Sequence, residues 1–156
     1  MAASASAASR TAERDLVISR VLEAPRDLVF EAWTEQEHLI HWSAPHGFTI
    51  THGEGDVRPG GAWRCCMRSA EGVDYWLGGS YREIVAPERL VFTHAWEDEA
   101  DRTGHATLVT VTFAEHGQRT KLGFHQAGFE SVASRDSHRD GWTECLDRLA
   151  GYLATA

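Results

Sequence analysis

The chain has no cluster of Lys and Arg: its 15 basic residues are scattered among 23 acidic ones, for a formal net charge of −8. Binding to phosphate-rich surfaces depends on neutralisation by Lys and Arg, so this balance speaks against nucleic acid and anionic membranes as partners. Cysteine is scarce as well. There are three, an odd number, and two are adjacent as Cys65-Cys66, where a strand would send their side chains to opposite faces. A disulfide framework is not expected. No run of apolar residues approaches the roughly 18 needed to span a bilayer. Met1 to Arg14 is mostly Ala and Ser with no continuous apolar h-region, so no secretory leader is read there. The expectation is a disordered tail over residues 1–14 on a cytoplasmic protein, followed by a single domain over residues 15–156.

Motifs that announce particular chemistry are also missing. No His-Glu-x-x-His, no paired-Cys spacing and no Gly-x-Ser-x-Gly elbow occurs. Gly60-Gly61 and Gly78-Gly79 follow turn or strand patterns rather than opening a helix, so a phosphate loop has no support. His38 and His41 lie three apart on a predicted helix, with His46 and His52 nearby, and read as solvated surface histidines. Neither a metal nor a cofactor is expected. A chain of 156 residues is the size of one domain. At that length a fold buries about 70% of its unfolded surface, enough for a core without staples.

What is present is mostly β-type. Tyr75 to Val85 and Leu90 to Trp96 are rich in aromatic and β-branched residues and flank an Ala86-Pro87-Glu88-Arg89 corner, which predicts a hairpin. Gly78-Gly79 implies a bulge or sharp bend within its first strand. Further strands are predicted at Asp15–Glu23, Phe48–Gly53, Ala62–Arg68, Thr107–Phe113 and Thr120–Gln126, with an acidic loop over Asp98–Arg102. Pro25 opens a short helix carrying Leu28, Val29, Ala32 and Trp33 at helical spacing, and a second runs from about Glu35 to His41. A long helix follows from about Ser131 to Ala154, with His138, Trp142, Cys145, Leu149 and Tyr152 on one face. Strands do not alternate with helices as a parallel sheet requires, so the class is α+β.

Four stretches carry a resemblance that spans about Leu16 to Leu153. They are Trp42-Ser43-Ala44-Pro45-His46-Gly47-Phe48, Asp56-Val57-Arg58-Pro59-Gly60-Gly61, the hairpin from Gly78 to Thr93, and Gly141 to Leu149. Together they resemble the family named after the activator of Hsp90 ATPase, within the START-like (Bet v 1-like, SRPBCC) superfamily. The resemblance implies a helix-grip fold, in which a curved antiparallel sheet wraps round the long C-terminal helix, with two short helices after the first strand. It also implies a hollow interior. The family's Thr-x-Leu-x-Leu-x-His-x-Gly-Phe motif appears here as Thr120, Leu122, Phe124, Gln126, Gly128 and Phe129, with histidine one place early at His125. Strand parity then turns that imidazole to the outer face and leaves an amide inside. Likewise the usual Trp-Trp-Gly-Pro loop is Trp42-Ser43-Ala44-Pro45.

In such a fold alternate strand positions face inward, and those not covered by the helix enclose a cavity. Parity selects Trp63, Cys65 and Met67 on one strand, Tyr75, Leu77 and Tyr81 on the next, then Phe92, His94 and Trp96, with Val109, Phe124 and Gln126 from the last pair. The helix adds His138, Trp142 and Cys145, and Trp42 and His46 are placed near the mouth. Stripes of Trp, Phe and Leu also make plain cores. Polar-tipped groups sharing those faces are instead the texture of a small-molecule pocket. The expected partner is therefore a small hydrophobic or aromatic ligand held by a carrier, sensor or sequestering protein. The second reading is a cofactor-free cyclase, dehydratase or hydrolase with His94 and His138 as catalytic proton carriers, because histidine titrates near neutrality. A third, implied only by the family name, is an Hsp90 co-chaperone. The short Ala/Ser tail argues against it, since the eukaryotic activators carry a separate N-terminal domain. An edge strand, or the short helices with His38 and Trp42, could pair two copies into a homodimer.

Overall fold

Among the described residues, seven segments with β-type patterning pair into one antiparallel sheet, and three helices lie on its inner face. The computed structural model describes residues 14–97 and 105–155. The expected N-terminal tail, apart from Arg14, and the acidic loop Asp98–Arg102 lie outside the described residues. In chain order the elements are β1 (Leu16–Leu22), α1 (Arg26–Thr34), α2 (Gln36–Trp42), β2 (Phe48–Gly55), β3 (Ala62–Ser69), β4 (Asp74–Val85), β5 (Arg89–Glu97), β6 (Thr107–His116), β7 (Arg119–Ala127) and α3 (Val132–Ala154). The sheet order is β1-β7-β6-β5-β4-β3-β2, so β2 to β7 form a meander and β1 returns beside β7 at one edge. This is the helix-grip arrangement.

Local chemistry explains the element ends. α1 begins after Pro25, whose φ of −64° suits a helix start and whose missing N–H leaves no donor to satisfy there. It buries Val29, Phe30, Ala32 and Trp33 on one face. α3 is capped by Ser131, whose side-chain oxygen accepts from the Ser134 N–H at 3.1 Å. Its buried residues are Cys145, Leu146, Leu149 and Leu153, so the inner stripe includes Leu146 and Leu153 beside the predicted positions. Burying a leucine contributes about 1.5–3 kcal/mol, and these three leucines join α1 and the inner faces of β1, β6 and β7 in the main core.

The β4–β5 hairpin turns at Ala86-Pro87, a cis peptide. Its register shift lies between Tyr81 and Glu83, which places the extra residue at Arg82 rather than at Gly78-Gly79. The two glycines serve close backbone approach instead. A Cβ on Gly79 would sit 2.0 Å from the Thr93 carbonyl oxygen, and one on Gly78 would sit 2.6 Å from that of Trp63. The sheet coils tightly here. A second shift, between Ile50 and His52, bends edge strand β2. Charged residues of the turns pair as their sequence positions suggest: Arg58 with Asp56 at 2.6 Å, and Arg89 with Glu83 at 3.1 Å.

Candidate functional site

The two halves of the inner face are covered differently. Over β6 and β7 the C-terminal half of α3 and helix α1 press directly on the sheet, with Phe30 against Phe113 at 5.2 Å and Trp33 against Phe124 at 6.3 Å between ring centroids. Over β2 to β5 the cover is looser: α2 packs on edge strand β2, and no helix comes as close to β3, β4 or β5. A space of about 470 Å³ remains there, between β2–β5, α2 with the loop after it, and the N-terminal half of α3.

Its wall includes Trp42, Trp63, Cys65, Met67, Tyr75, Leu77, Tyr81, Phe92, His94, Trp96, His138, Trp142 and Cys145 from the predicted set. Val109, Phe124 and Gln126 point inward but are fully buried in the filled half, away from the space. Parity gives a side chain's face, not whether something lies on top of it. His46 is exposed on the loop and does not line the space; its backbone N–H donates to Glu144 Oε1 at 2.9 Å. Trp42, expected near the mouth, is wholly buried and donates its indole N–H to the Ala32 carbonyl at 2.9 Å. Further wall residues are Trp33, Leu39, Pro45, Phe48, Ile50 and Leu90, with polar Gln36, Ser43, Glu54, Arg64 and Ser137. The alternation of Phe48 and Ile50 on β2 is a signal that would have identified those two. Trp33 had been visible only as part of a helical face.

The loop of residues 43–47 is tied down from α3. Arg148 Nη1 donates to the carbonyls of Ala44 at 2.6 Å, Phe48 at 3.2 Å and Pro45 at 3.3 Å. A guanidinium has no acceptor role, so carbonyls that end a helix and enter a strand are natural partners. Arg148 thereby fixes the position of Pro45 and Phe48 in the wall.

His94 sits among aromatic rings: Trp63, Trp96, His138 and Trp142 all lie within 5.7–6.0 Å of its centroid. Burial, aided by His138, holds its pKa down at about 3, so the imidazole is neutral at ordinary pH. Its backbone carbonyl accepts from Thr107 Oγ1 at 3.1 Å, and that oxygen accepts from Gln126 Nε2 at 2.8 Å. Gln126 is thus a brace behind the wall, and its Oε1 has no partner among the described residues. His138 is oriented at both nitrogens. Nδ1 is 2.8 Å from the Ser134 carbonyl, which can only accept, and Nε2 receives the Trp96 indole N–H at 3.0 Å. The ring is therefore the Nδ1–H tautomer. Burial also pushes the Tyr81 hydroxyl and the Cys65 and Cys145 thiols up to about 12. On the outer face, half-exposed His125 bonds Asp15 at 3.0 Å, as the parity of β7 requires.

Elsewhere, Glu31, Glu35 and His38 bring ligand atoms within 4.8 Å of one another at the α1–α2 junction. Both carboxylates are exposed there, and His38 Nδ1 lies 2.6 Å from the Tyr152 hydroxyl. Among the described residues no helix is long and apolar enough to cross a membrane.

Residues 23–154 match the family model described as "Activator of Hsp90 ATPase homolog 1-like protein". Several solved structures are similar. A protein of Chromobacterium violaceum is 29% identical with a TM-score of 0.81, over 88% of this chain and 95% of that one. The AHSA1 protein of Silicibacter pomeroyi is 26% identical with a TM-score of 0.82, over 90% and 98%. One from Nitrosomonas europaea is 25% identical with a TM-score of 0.80, over 92% and 96%. No curated protein matches the chain.

Proposed function

Since the chain belongs to the family of Activator of Hsp90 ATPase homolog 1-like proteins and has its START-like fold, we propose that it binds a small hydrophobic or aromatic molecule between the sheet and α3, as a carrier, sensor or sequestering protein. The observation that carries this reading is the space of about 470 Å³ walled by aromatic side chains from β3, β4, β5 and α3. That volume falls in the range of about 300–1,000 Å³ usual for small-molecule sites. A few polar groups among apolar walls is the usual composition of such a site as well.

Native mass spectrometry of the protein with a panel of hydrophobic and aromatic metabolites tests the proposal. Retained or acquired small masses are expected. Leu77→Trp, which places a large ring in the middle of the wall, should remove them while circular dichroism remains native. A bare native protein across a broad panel, or a variant that binds as well as the native chain, would overturn the proposal.

A catalytic reading needs His94 and His138 to exchange protons with a substrate. The hydrogen bonds favour binding instead, since both nitrogens of His138 are already engaged. His94, with its pKa near 3, is a weak base and is not a cationic acid at neutral pH. A co-chaperone role, raised by the family's description, is separated by measuring the ATPase rate of an Hsp90 homologue. Clear stimulation without ligand binding would replace the cavity reading.

A further inference from the structure

The hydrogen bonds of the wall divide its polar groups into those already used and those left over. The indole N–H groups of three wall tryptophans are used: Trp42 on the Ala32 carbonyl, Trp63 on the Thr93 carbonyl at 3.0 Å, and Trp96 on His138. These rings can offer a ligand only their faces and edges. His94 and Tyr81 are left over and buried, whereas Trp142 and Tyr75, also without a side-chain hydrogen bond among the described residues, are more exposed. The first two are buried, at 5% and 4% exposure, both line the space, and among the described residues neither the ring nitrogens of His94 nor the hydroxyl of Tyr81 hydrogen-bonds to another residue. Neither appears among the sealed, unpaired polar atoms, as the Trp33 indole N–H does, so they open onto the space. A buried polar group without a partner costs roughly 1–3 kcal/mol, which a ligand could recover.

Their spacing follows from strand register. Tyr81 faces Phe92 across β4 and β5, and His94 lies two residues further along the same face. Diagonal neighbours of this kind stand about 7–8 Å apart. Between them lies a flat aromatic surface: Phe92 is 6.3 Å from Tyr81, and Trp63 is 5.8 Å from both Phe92 and His94, ring centroid to centroid.

Charge adds a second restriction. The buried titratable groups of this wall are all in their neutral forms at pH 7: His94 below its ordinary range, and Tyr81, Cys65 and Cys145 above theirs. Arg64, at the edge, is bound to both Glu97 oxygens at 2.8 and 2.9 Å and lies over the Trp76 ring at 4.0 Å. A charged ligand would lose its hydration and find no buried counter-charge.

We infer that the site selects an uncharged, flat aromatic ligand with polar groups at two opposite ends, one hydrogen-bonded by His94 and the other by Tyr81, and that it rejects anionic analogues of the same shape. This rests on the cavity-binding reading and goes beyond it by naming the ligand class.

The test compares three probes on one skeleton by equilibrium dialysis at pH 7: 2,6-dihydroxynaphthalene, naphthalene and 2,6-naphthalenedicarboxylate. The diol should bind at least tenfold more tightly than naphthalene and at least tenfold more tightly than the dicarboxylate. In His94→Phe and Tyr81→Phe the ratio of diol to naphthalene affinity should fall towards one. Equal binding of diol and naphthalene to the native protein, or a dicarboxylate that binds as well as the diol, overturns this inference and leaves the cavity reading standing. Binding of none of the three, together with a bare protein in the wider panel, removes both. The probe series on the native chain decides the matter even if a variant fails to fold.

Discussion

Acidification should destabilise the protein through His94 in a measurable, assignable way. In the unfolded chain a histidine takes up a proton near pH 6.5. In the folded protein His94 takes one only near pH 3, because protonation would place a buried charge among three tryptophan rings and beside His138. The folded value lies below the unfolded one, so between these limits the unfolded state binds more protons and stability rises with pH. The contribution is fully present above about pH 6.5 and is lost progressively as pH falls towards about 3. From pH 7 to pH 5 the loss comes to about 2 kcal/mol for this one group. Urea denaturation of the native chain and of His94→Phe at both pH values isolates it. Carboxylates and other histidines contribute to both proteins, and the difference between the two pH dependences removes them, except for any change in His138, the titratable neighbour whose charge His94 feels. The native chain should lose about 2 kcal/mol more than the variant. Parallel pH dependences, within about 0.5 kcal/mol, would refute the claim that His94 is buried in its neutral form.

Three further outcomes are expected. Arg148→Met, which leaves three loop carbonyls without their donor, should lower stability by about 2 kcal/mol and raise amide exchange over residues 43–48; unchanged exchange there would show that Arg148 does not hold the loop. Gly79→Ala should cost about 1–3 kcal/mol, because its Cβ would meet the Thr93 backbone oxygen at 2.0 Å. Gly151→Ala on α3, with nothing within 4 Å, should stabilise by up to about 1 kcal/mol; equal melting shifts for the two would refute the close-approach account. Cys65 and Cys145, with thiol pKa values moved from 9.0 to about 12, should react with iodoacetamide at pH 8 roughly a thousandfold more slowly than an ordinary thiol. Peptide mapping reads this site by site, and ordinary rates at either cysteine would refute the burial.

Much of the fold was legible because its signals are local. Pro25 before Leu28, Val29, Ala32 and Trp33 marks a helix start, and Pro87 between two aromatic runs marks a hairpin, whatever the rest of the chain does. Register was less legible. The glycine pair suggested an irregularity at residues 78–79, yet the inserted residue is Arg82, since the glycines are needed where neighbouring carbonyls crowd the strand. The His125 shift was readable from parity alone, and Gln126 does lie inside.

For the candidate site, sequence determined which side chains face inward, because a strand alternates its faces with a period of two regardless of context. It could not determine which inward side chains meet empty space. Phe92 and Phe124 have the same character and the same facing, yet one borders the space and the other lies under Trp33 and Trp142. That distinction depends on where α1 and α3 land on the sheet, which is a property of long-range packing. The same holds for hydrogen bonds: His94 and His138 look equivalent as residues, but Trp96 and Ser134 engage one and leave the other open. Periodicity is written into neighbouring residues, whereas vacancy and hydrogen-bond satisfaction arise only when distant segments meet.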